Sequence, residues 1–270
     1  GRFGSQYDQE QVNQAFHSLR GLLTEALAGA RPPRQITEGE WRRVLSRAGV
    51  CFDFLGQIPL NALCAWLGEG AVNSHLSGTA RRLLVAQGTG DSALLYYLNE
   101  ADGSYYACET GLTYSGRMAD LLEPYGGNGA VFAFEQGPES AYSGLDPYVL
   151  LLPAAPSPRI YRAGNPLSAG DSGAVERVQR ALSFRPQADS SYSVTGGIRI
   201  REGKETLEIL ESGTVTYHAA EVSASRYVLG DGLAAGAAAC AEAAWRLAES
   251  TVGSLCGSGQ LYLMGVEETA

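Results

Sequence analysis

The feature that most constrains the fold is a run of short apolar segments separated by turn-forming residues in the first half of the chain. The segments 82–87, 93–99 and 105–109 are rich in Leu and Tyr, residues that suit a half-buried strand. The clusters 89–91 and 101–104 between them contain Gly and Asp, which favour tight turns. Because the connections are short, we predict a locally paired antiparallel meander.

Helices are predicted on either side of a Pro-Pro break near the start of the chain. Between residues 8 and 30 the apolar residues recur at helical spacing, and polar residues form the other face. Thr37 followed by Glu40 is typical of a capping box at the start of a second helix. Pro59 and Gly68 are suitably placed to begin and end a short third helix.

A proline cluster marks the largest composition shift in the chain. Pro153, Pro156 and Pro158 are interspersed only with Ala and Ser, which predicts a linker. We place a domain boundary there, with an N-terminal α+β domain at 1–155 and a C-terminal α+β domain at 156–270. The predicted fold class is α+β, with two subdomains that each contain a mainly antiparallel sheet with packed helices.

The C-terminal domain is predicted as a helix, a series of hairpin strands, a long helix and a last strand. Ser172 is a candidate N-cap of the first helix, and Ser212 with Gly213 is typical of a two-residue hairpin turn. The Ala-rich stretch 231–249 predicts the long helix, and residues 260–266 predict the strand. An unpaired strand exposes backbone groups, so we expect this one to pair with the upstream hairpins, or the native chain to continue.

The charge balance excludes several classes of function. With 20 Lys and Arg against 29 Asp and Glu, the net charge is −9; polyanions are repelled on average, and nucleic acid is not a predicted partner. Lys204 is the only lysine and lies in a predicted turn, which argues against Schiff-base chemistry and a Walker-type phosphate loop. The stretch 233–248 is too short and too rich in Ala to span a bilayer, so no membrane contact is predicted for this part of the protein.

Cysteine and histidine form no pattern typical of a metal site or a disulfide framework. The five cysteines include no Cys-x-x-Cys pair, which excludes the usual zinc and thioredoxin motifs. Cys51, Cys64 and Cys240 have apolar neighbours and are predicted in the core. His75 and His218 lack Cys, His or Asp partners at ligand spacing. We predict no metal and no cofactor.

Two short motifs are better explained by local structure than by chemistry. Residues 170–173 match the nucleophile segment of chymotrypsin-like proteases, but a helical pattern follows at once, so Asp171 and Ser172 are interpreted as capping residues. The glycines at 88–90 partly fit a dinucleotide fingerprint, yet a strand pattern follows them, which favours a hairpin turn. We predict no catalytic residue.

One acidic residue has apolar neighbours in a predicted strand. Asp53 lies between Phe52 and Phe54 and is the best candidate for a buried general acid or base. Strand alternation directs its side chain away from both phenylalanines, which favours a carboxylate facing solvent. An alternative is that Asp53 and Glu109 converge only in three dimensions, as in a small-molecule- or glycan-binding protein or a hydrolase.

Tyrosine is over-represented, with 14 Tyr against 7 Phe. Tyr96 and Tyr97 lie on one predicted strand, and Tyr105 and Tyr106 on the next. An exposed row of these side chains would suit a protein contact, because tyrosine combines an apolar body with a polar tip. Cross-strand pairs that only stabilise the meander are the other interpretation.

Two stretches of the chain resemble the YycH/YycI group of Gram-positive bacteria. One runs from residue 49 to 63, and the other comprises 181–184 and 190–219, with a helix end, a polar turn and a Gly-Thr hairpin. The resemblance implies an N-terminal membrane helix and an extracytoplasmic α+β region that modulates a cell-wall sensor histidine kinase. The group has no catalytic residues to transfer to this chain. The segment 214–266 also resembles small PepSY-type modules at the level of fold.

We therefore expect a noncatalytic extracytoplasmic protein that modulates a membrane sensor kinase or an envelope partner by protein contact. A paralogous regulator is a further candidate partner. The chain begins at Gly1 rather than Met, so we expect the full-length form to be anchored through a segment upstream. Two other classes stay open, which are the ligand-binding protein or hydrolase and a structural envelope module without a specific partner.

Overall fold

The computed structural model describes residues 1–6, 8–68, 72–153, 164, 169–186, 191–227, 236–255, 257 and 259–267. Backbone contacts divide the chain into two compact units, Gly1–Arg159 with Met264–Thr269, and Ile160–Leu263 with Ala270. Antiparallel sheets packed with helices build the structure, so the α+β class is confirmed. The predicted boundary near residue 155 lies outside the described residues and stays a prediction.

The first unit is built around a five-stranded antiparallel sheet. Its strands are β1 (Arg34–Ile36), β2 (Gly49–Pro59), β3 (Thr79–Gln87), β4 (Ser92–Asn99) and β5 (Ser104–Thr113). They lie in the order β1-β5-β4-β3-β2, so β2 to β5 pair with their chain neighbours and the predicted meander is confirmed. β1 adds to the outer side of β5, a long-range pairing that no local pattern predicts.

The helices of this unit are α1 (Gln9–Gly29), α2 (Glu38–Val44), α3 (Leu60–Leu67) and the single turn α4 (Ala119–Leu122). Thr37 caps α2 by accepting a bond from the Glu40 backbone N–H at 3.1 Å. The Glu40 carboxylate instead binds Arg34 at 2.8 Å, so the capping box is only half formed. Pro59 precedes α3 and Gly68 ends it, as predicted.

Both faces of the first sheet are covered. α1 and α3 pack on one face, in a core that includes Leu23, Leu27, Leu60, Leu83 and Leu95. α2 and the segment 130–150 pack on the other, in a core that includes Trp41, Leu84, Tyr96, Phe132 and Tyr148. Within that segment, β6 (Val131–Phe132) pairs with β7 (Leu150–Leu151). Each strand of the meander therefore contributes side chains to the cores on both faces of the sheet.

The second unit contains a four-stranded antiparallel sheet with a helix on one face. Its strands are β8 (Ser191–Val194), β9 (Gly197–Glu202), β10 (Glu205–Leu210) and β11 (Val215–Ala219), in the order β11-β10-β9-β8. Val175 and Val178 of α5 (Ser172–Ala181) share a core with Ile200, Leu207 and Ile209. α6 (Ala237–Ser250) belongs to the same unit, and the predicted helix start at 231 lies outside the described residues.

Two predictions for the second unit are wrong in detail. Of the two residues interpreted as capping α5, Asp171 is the N-cap and Ser172 is instead the first residue of the helix, because the Asp171 carboxylate accepts bonds from the backbone N–H groups of Gly173 at 2.9 Å and Ala174 at 3.2 Å. The loop between β10 and β11 has three residues rather than two, since the Leu210 N–H donates to the Thr214 carbonyl at 2.9 Å. The last loop residue, a glycine, has φ +88°, a conformation that glycine adopts without strain.

The final segment does not form the predicted strand. Residues 259–267, as far as they are described, have no regular secondary structure. The expected pairing with the upstream hairpins is replaced by a contact with β2, where the Val266 N–H donates to the Gln57 carbonyl at 2.8 Å. β2 is irregular between Asp53 and Ile58. This bulge interrupts the regular ladder at the point where the final segment approaches.

Candidate functional site

The four tyrosines considered for a protein contact lie on the covered faces of the first sheet. Tyr96 and Tyr97 are each only 2% exposed. Tyr97 stacks on Tyr106 with ring centroids 5.3 Å apart, the cross-strand pairing that stabilises a meander. Tyr105 and Tyr106 are half-buried, and the protein contact through these four tyrosines stays a prediction.

Tyr105 belongs to a polar network beneath α2. Its hydroxyl lies 3.0 Å from that of Tyr148, which donates to a Glu38 carboxylate oxygen at 3.0 Å. Burial and the contact with Tyr105 raise the pKa of Tyr148, and the bond from Tyr148 lowers the pKa of Glu38. Trp41 packs against both tyrosine rings. The network therefore fastens α2 and the segment around residue 148 to the sheet.

Asp53, the candidate acid, lies between two arginines of β3. Its carboxylate accepts bonds from Arg81 at 2.7 Å and from Arg82 at 3.0 Å. The Arg82 side chain is only 3% exposed and also donates to Asp146 at 2.9 Å. Burial alone would raise the pKa of Asp146, but the bonds from the Tyr148 backbone and from Arg82 outweigh it, and the pKa is lowered. Asp53 therefore acts as a half-exposed counter-ion of a buried guanidinium.

Asp53 and Glu109 do not converge. They lie on β2 and β5, with β3 and β4 between them. The lateral separation is about 14 Å, because neighbouring strands are spaced by about 4.8 Å. Glu109 instead pairs with Arg31 at 3.6 Å, and both side chains are largely exposed. The paired-carboxylate alternative has no geometric support at these residues.

The cysteines differ in their exposure. Cys64 and Cys108 are buried and Cys51 is half-buried, but Cys240 is exposed on α6, so its predicted core position is wrong. The reason is that α6 buries only Ala241. Burial raises the pKa of Cys51 and of Cys108 to about 12, which keeps both as neutral thiols. Among the described residues, no group of three or more His, Cys, Asp or Glu side chains is placed to hold a metal ion.

An exposed apolar patch lies where the final segment meets β2. Leu55 is 58% exposed and Met264 63% exposed. Together with Gly56, Gln57, Gly265 and Glu267, these residues line a shallow pocket of about 450 Å³, which we call the edge patch. A Cβ atom at Gly56 would collide with the Met264 carbonyl oxygen, so this close approach requires glycine. Exposed apolar side chains beside an edge strand are typical of a protein-contact site.

The second sheet presents a polar face on the side opposite α5. Strand alternation directs Ile200 and Leu207 towards α5, and their neighbours in the chain to the other side. We call this surface the outer face. It is lined by Tyr192, Arg199, Arg201, Lys204, Thr206, Glu208, Thr216, His218 and Ala220, which form a shallow depression of about 380 Å³.

The strand register arranges the outer face in two rows. In one row, Thr206 lies between Arg201 of β9 and His218 of β11. In the other, Glu208 lies opposite Arg199 and binds it at 2.6 Å, which raises the pKa of Arg199. One carboxylate and three cationic side chains line the depression, and two of these cations are paired with carboxylates, Arg199 with Glu208 and Lys204 with Glu221.

The inner side of the same sheet contains a buried carboxylate. Glu205 accepts a bond from the Tyr217 hydroxyl at 2.6 Å and pairs with Arg226 at 2.5 Å. The bonds from Arg226 and Tyr217 lower the pKa of Glu205 to about 2. The Arg226 guanidinium also lies 4.0 Å from the centre of the Phe184 ring. This cluster ties the chain after β11 to the sheet and to the end of α5.

The sequence analysis does not identify the edge patch or the outer face. For the outer face a signal is present, because the alternation that predicts β9 to β11 also places their polar residues on one side. The edge patch depends on a contact between residues 57 and 266. No local pattern predicts such a contact.

The fold defines a class of protein, an α+β protein in which helices pack on antiparallel sheets in two units. Within that class, the chain is similar to the crystal structure of YycH from Bacillus subtilis, with a TM-score of 0.53 and 12% sequence identity. The similarity covers 89% of this chain and 60% of the YycH chain. The chain therefore has a YycH-like fold, which confirms the resemblance found in its sequence. No family model and no curated protein matches the chain.

Proposed function

We propose that this protein is a noncatalytic regulator that acts by protein contact. The YycH-like fold carries the proposal, because it agrees with the group that two stretches of the sequence resemble. That group suggests a membrane sensor histidine kinase as the partner, with a paralogous regulator or another envelope protein as further candidates. The position of Asp53 among arginines supports a structural rather than a catalytic use of the best candidate acid.

The proposed location is extracytoplasmic, with the full-length protein anchored in the cell membrane. No helix in the described part of the chain has the length and apolar character needed to cross a bilayer. The proposed anchor is the N-terminal membrane helix that the resemblance to the YycH/YycI group implies. A regulator held in this way meets a membrane-bound kinase in two dimensions, which raises the effective concentration of the two proteins.

We place the protein contact at the edge patch. The flat faces of the first sheet are covered by helices and by the segment 130–150, which leaves its edges for recognition. Leu55 and Met264 are the exposed apolar side chains of the patch, and burying such groups contributes about 1.5–3 kcal/mol for each fully covered side chain. Protein interfaces concentrate their binding energy in a few side chains of this kind.

A binding experiment with the full-length protein tests this placement. The organism's cell-wall sensor histidine kinase, reconstituted in nanodiscs, is immobilised, and association of the protein is measured by biolayer interferometry. Leu55→Ser should weaken binding by about tenfold, the effect of a moderate interface anchor. Gly56→Ala should also weaken binding, because it displaces the Met264 backbone.

The matched control is Leu145→Ser, which alters a leucine of similar exposure, 47%, that does not line the edge patch. This variant should bind like the wild type. Equal binding of Leu55→Ser and Leu145→Ser would contradict the placement at the edge patch. Absence of any binding by the wild-type protein would contradict the proposed kinase partner.

A further inference from the structure

We propose that the protein partner adds an extended strand to β2 along residues 49–53, which we call the open edge. This inference rests on the proposed function, because it specifies how the partner that contacts the edge patch is held. β2 is the last strand of the five-stranded sheet, and the open edge continues from the edge patch along the same strand. In recognition of this kind, backbone hydrogen bonds supply the affinity and alternate side chains supply the specificity.

The strand register shows which backbone groups of the open edge are directed away from the sheet. The Gln87 N–H donates to the Ala48 carbonyl at 2.9 Å, and the following pairs of the β2–β3 ladder alternate between non-bonded and bonded. The backbone N–H and C=O groups of Gly49, Cys51 and Asp53 therefore face outward, whereas those of the two residues between them bond to β3. In the described part of the chain, no hydrogen bond reaches these outward groups.

The molecule already uses this side of β2 for backbone pairing at one point. The Gln57 carbonyl accepts the bond from the Val266 N–H at 2.8 Å. The final segment thus occupies the edge-patch end of the strand, while the open edge offers a length of about 15 Å to a partner. The opposite edge of the sheet is β1, which is 3 residues long and follows Pro32 and Pro33, residues without an N–H donor. β2 therefore offers the longer and less obstructed edge.

The side chains of the open edge indicate which kind of strand fits. Val50 is half-buried against the core that α1 covers, so apolar side chains of an added strand would extend that core. On the other face, Cys51 is half-buried. The Asp53 carboxylate accepts bonds from Arg81 at 2.7 Å and Arg82 at 3.0 Å, so its charge, which would otherwise oppose strand addition, is balanced within the chain. The partner segment should therefore alternate apolar side chains on the α1 side with small or polar ones on the other.

Hydrogen exchange of the full-length protein, measured residue by residue, tests the added strand. The probe is the organism's cell-wall sensor histidine kinase in nanodiscs. Without the kinase, the outward N–H groups of Cys51 and Asp53 should exchange rapidly, because they lack a hydrogen-bond acceptor. With the kinase, their exchange should slow by at least about tenfold, because the added strand supplies acceptors. The N–H groups of residues 50 and 52 are the internal control, since their bonds to β3 protect them in both states.

Two variants at one position separate the backbone bond from the side chain. Cys51→Pro removes an outward N–H and places its ring where the added strand would lie, so kinase binding should weaken by about tenfold. Proline is tolerated in an edge strand where the lost N–H faces outward. Cys51→Ala is the matched control, because it changes the same side chain and keeps the N–H, and it should bind like the wild type. If Cys51→Pro does not fold, the exchange measurement decides.

The outcomes distinguish the added strand from the proposed function. Kinase binding with unchanged exchange at Cys51 and Asp53, or equal binding by Cys51→Pro and Cys51→Ala, would overturn the added strand and leave the contact at the edge patch intact. Slow exchange at Cys51 and Asp53 that depends on protein concentration without the kinase would also overturn it, because a second copy of the chain would then occupy this edge. Absence of kinase binding by the wild-type protein would overturn both proposals.

Discussion

The two main sheets of the molecule follow the same antiparallel rules but differ in what covers them. The first sheet has packing on both faces, so a tyrosine such as Tyr97 is 2% exposed, whereas Tyr192 at the outer face of the second sheet is 48% exposed. An alternating strand pattern predicts a sheet in both cases. Whether the polar half of the pattern forms an internal network or a binding surface depends on the number of packed layers.

The main ion-pair cluster of each unit shows a second contrast. In the first unit the buried member is a cation, Arg82, which is shared by the half-exposed carboxylates of Asp53 and Asp146. In the second unit the buried member is a carboxylate, Glu205, paired with Arg226. An arginine stays charged at every accessible pH, whereas a carboxylate takes up a proton in acid. Both clusters therefore respond to acid through their carboxylates, since the pKa of Asp146 and that of Glu205 are both lowered, and they differ in which charge is buried.

The largest expected effect contrasts a covered with an open sheet face. Tyr97→Ala should destabilise the protein by about 3–5 kcal/mol, because it opens a cavity between the first sheet and α1. Tyr192→Ala should change the free energy of unfolding by less than about 0.5 kcal/mol, since that side chain is already hydrated. Urea unfolding followed by tryptophan fluorescence and far-UV circular dichroism measures both values. Similar losses for the two variants would contradict the contrast in coverage.

The next effect concerns the buried pair of the second unit. Glu205→Gln should destabilise this unit by about 3 kcal/mol, because it leaves the Arg226 charge without its main partner. Glu208→Gln is the matched control, since Glu208 forms a more exposed pair with Arg199, and it should cost less than about 1 kcal/mol. Amide hydrogen exchange in β10 and β11 reports both changes. Equal protection in the two variants would show that burial does not separate these pairs.

The same carboxylate should make the stability of the second unit depend on pH. The pKa of Glu205 is lowered from its ordinary value of 4.5 to about 2, so the unfolded chain takes up this proton first as the pH falls. The contribution of the pair is therefore complete above about pH 4.5 and is lost as the pH falls towards 2. The backbone amide groups of β10 should lose protection from hydrogen exchange over this range in the wild type, and they should lose less of it in Glu205→Gln. Parallel pH profiles would be incompatible with this assignment.

The smallest effect distinguishes the two capping candidates of α5. Asp171→Ala should destabilise the second unit by about 1 kcal/mol, because two backbone N–H groups lose their acceptor. Ser172→Ala should have an effect of less than about 0.5 kcal/mol, since Ser172 lies within the helix and alanine favours helix. Hydrogen exchange within α5 measures the difference. A larger loss of stability in Ser172→Ala than in Asp171→Ala would show that Ser172 is the N-cap.

Local patterns predict the parts of the fold that depend on nearby residues. The meander, α1 and α3 follow from spacing and turn residues within short windows. β1 was not predictable in this way, because its three residues gain their strand conformation from pairing with β5 far along the chain. Local patterns also fail for the final segment. Its apolar pattern predicts a strand, but its actual hydrogen-bond partner, Gln57, is distant in sequence.

For the candidate site residues, too, local patterns predict some features and tertiary packing decides the others. Alternation correctly predicts that the Asp53 carboxylate faces partly towards solvent, but the arginines that surround it are brought there by strand pairing. The buried positions of Tyr96 and Tyr97 depend on covering layers from α1, α2 and the segment 130–150, which the strand sequences do not encode. Exposure of Cys240 likewise depends on how little of α6 is buried. In each case tertiary packing decides the role of the residue.

The most direct test of the central claim is the autophosphorylation rate of the organism's cell-wall sensor histidine kinase in proteoliposomes that contain the full-length protein. We predict that the wild-type protein changes this rate, that Leu145→Ser does so equally, and that Leu55→Ser has a much smaller effect. A rate that is the same with and without the protein would contradict a regulator that acts on this kinase by contact. Turnover of a defined substrate by the purified protein itself would contradict the proposal that it is noncatalytic.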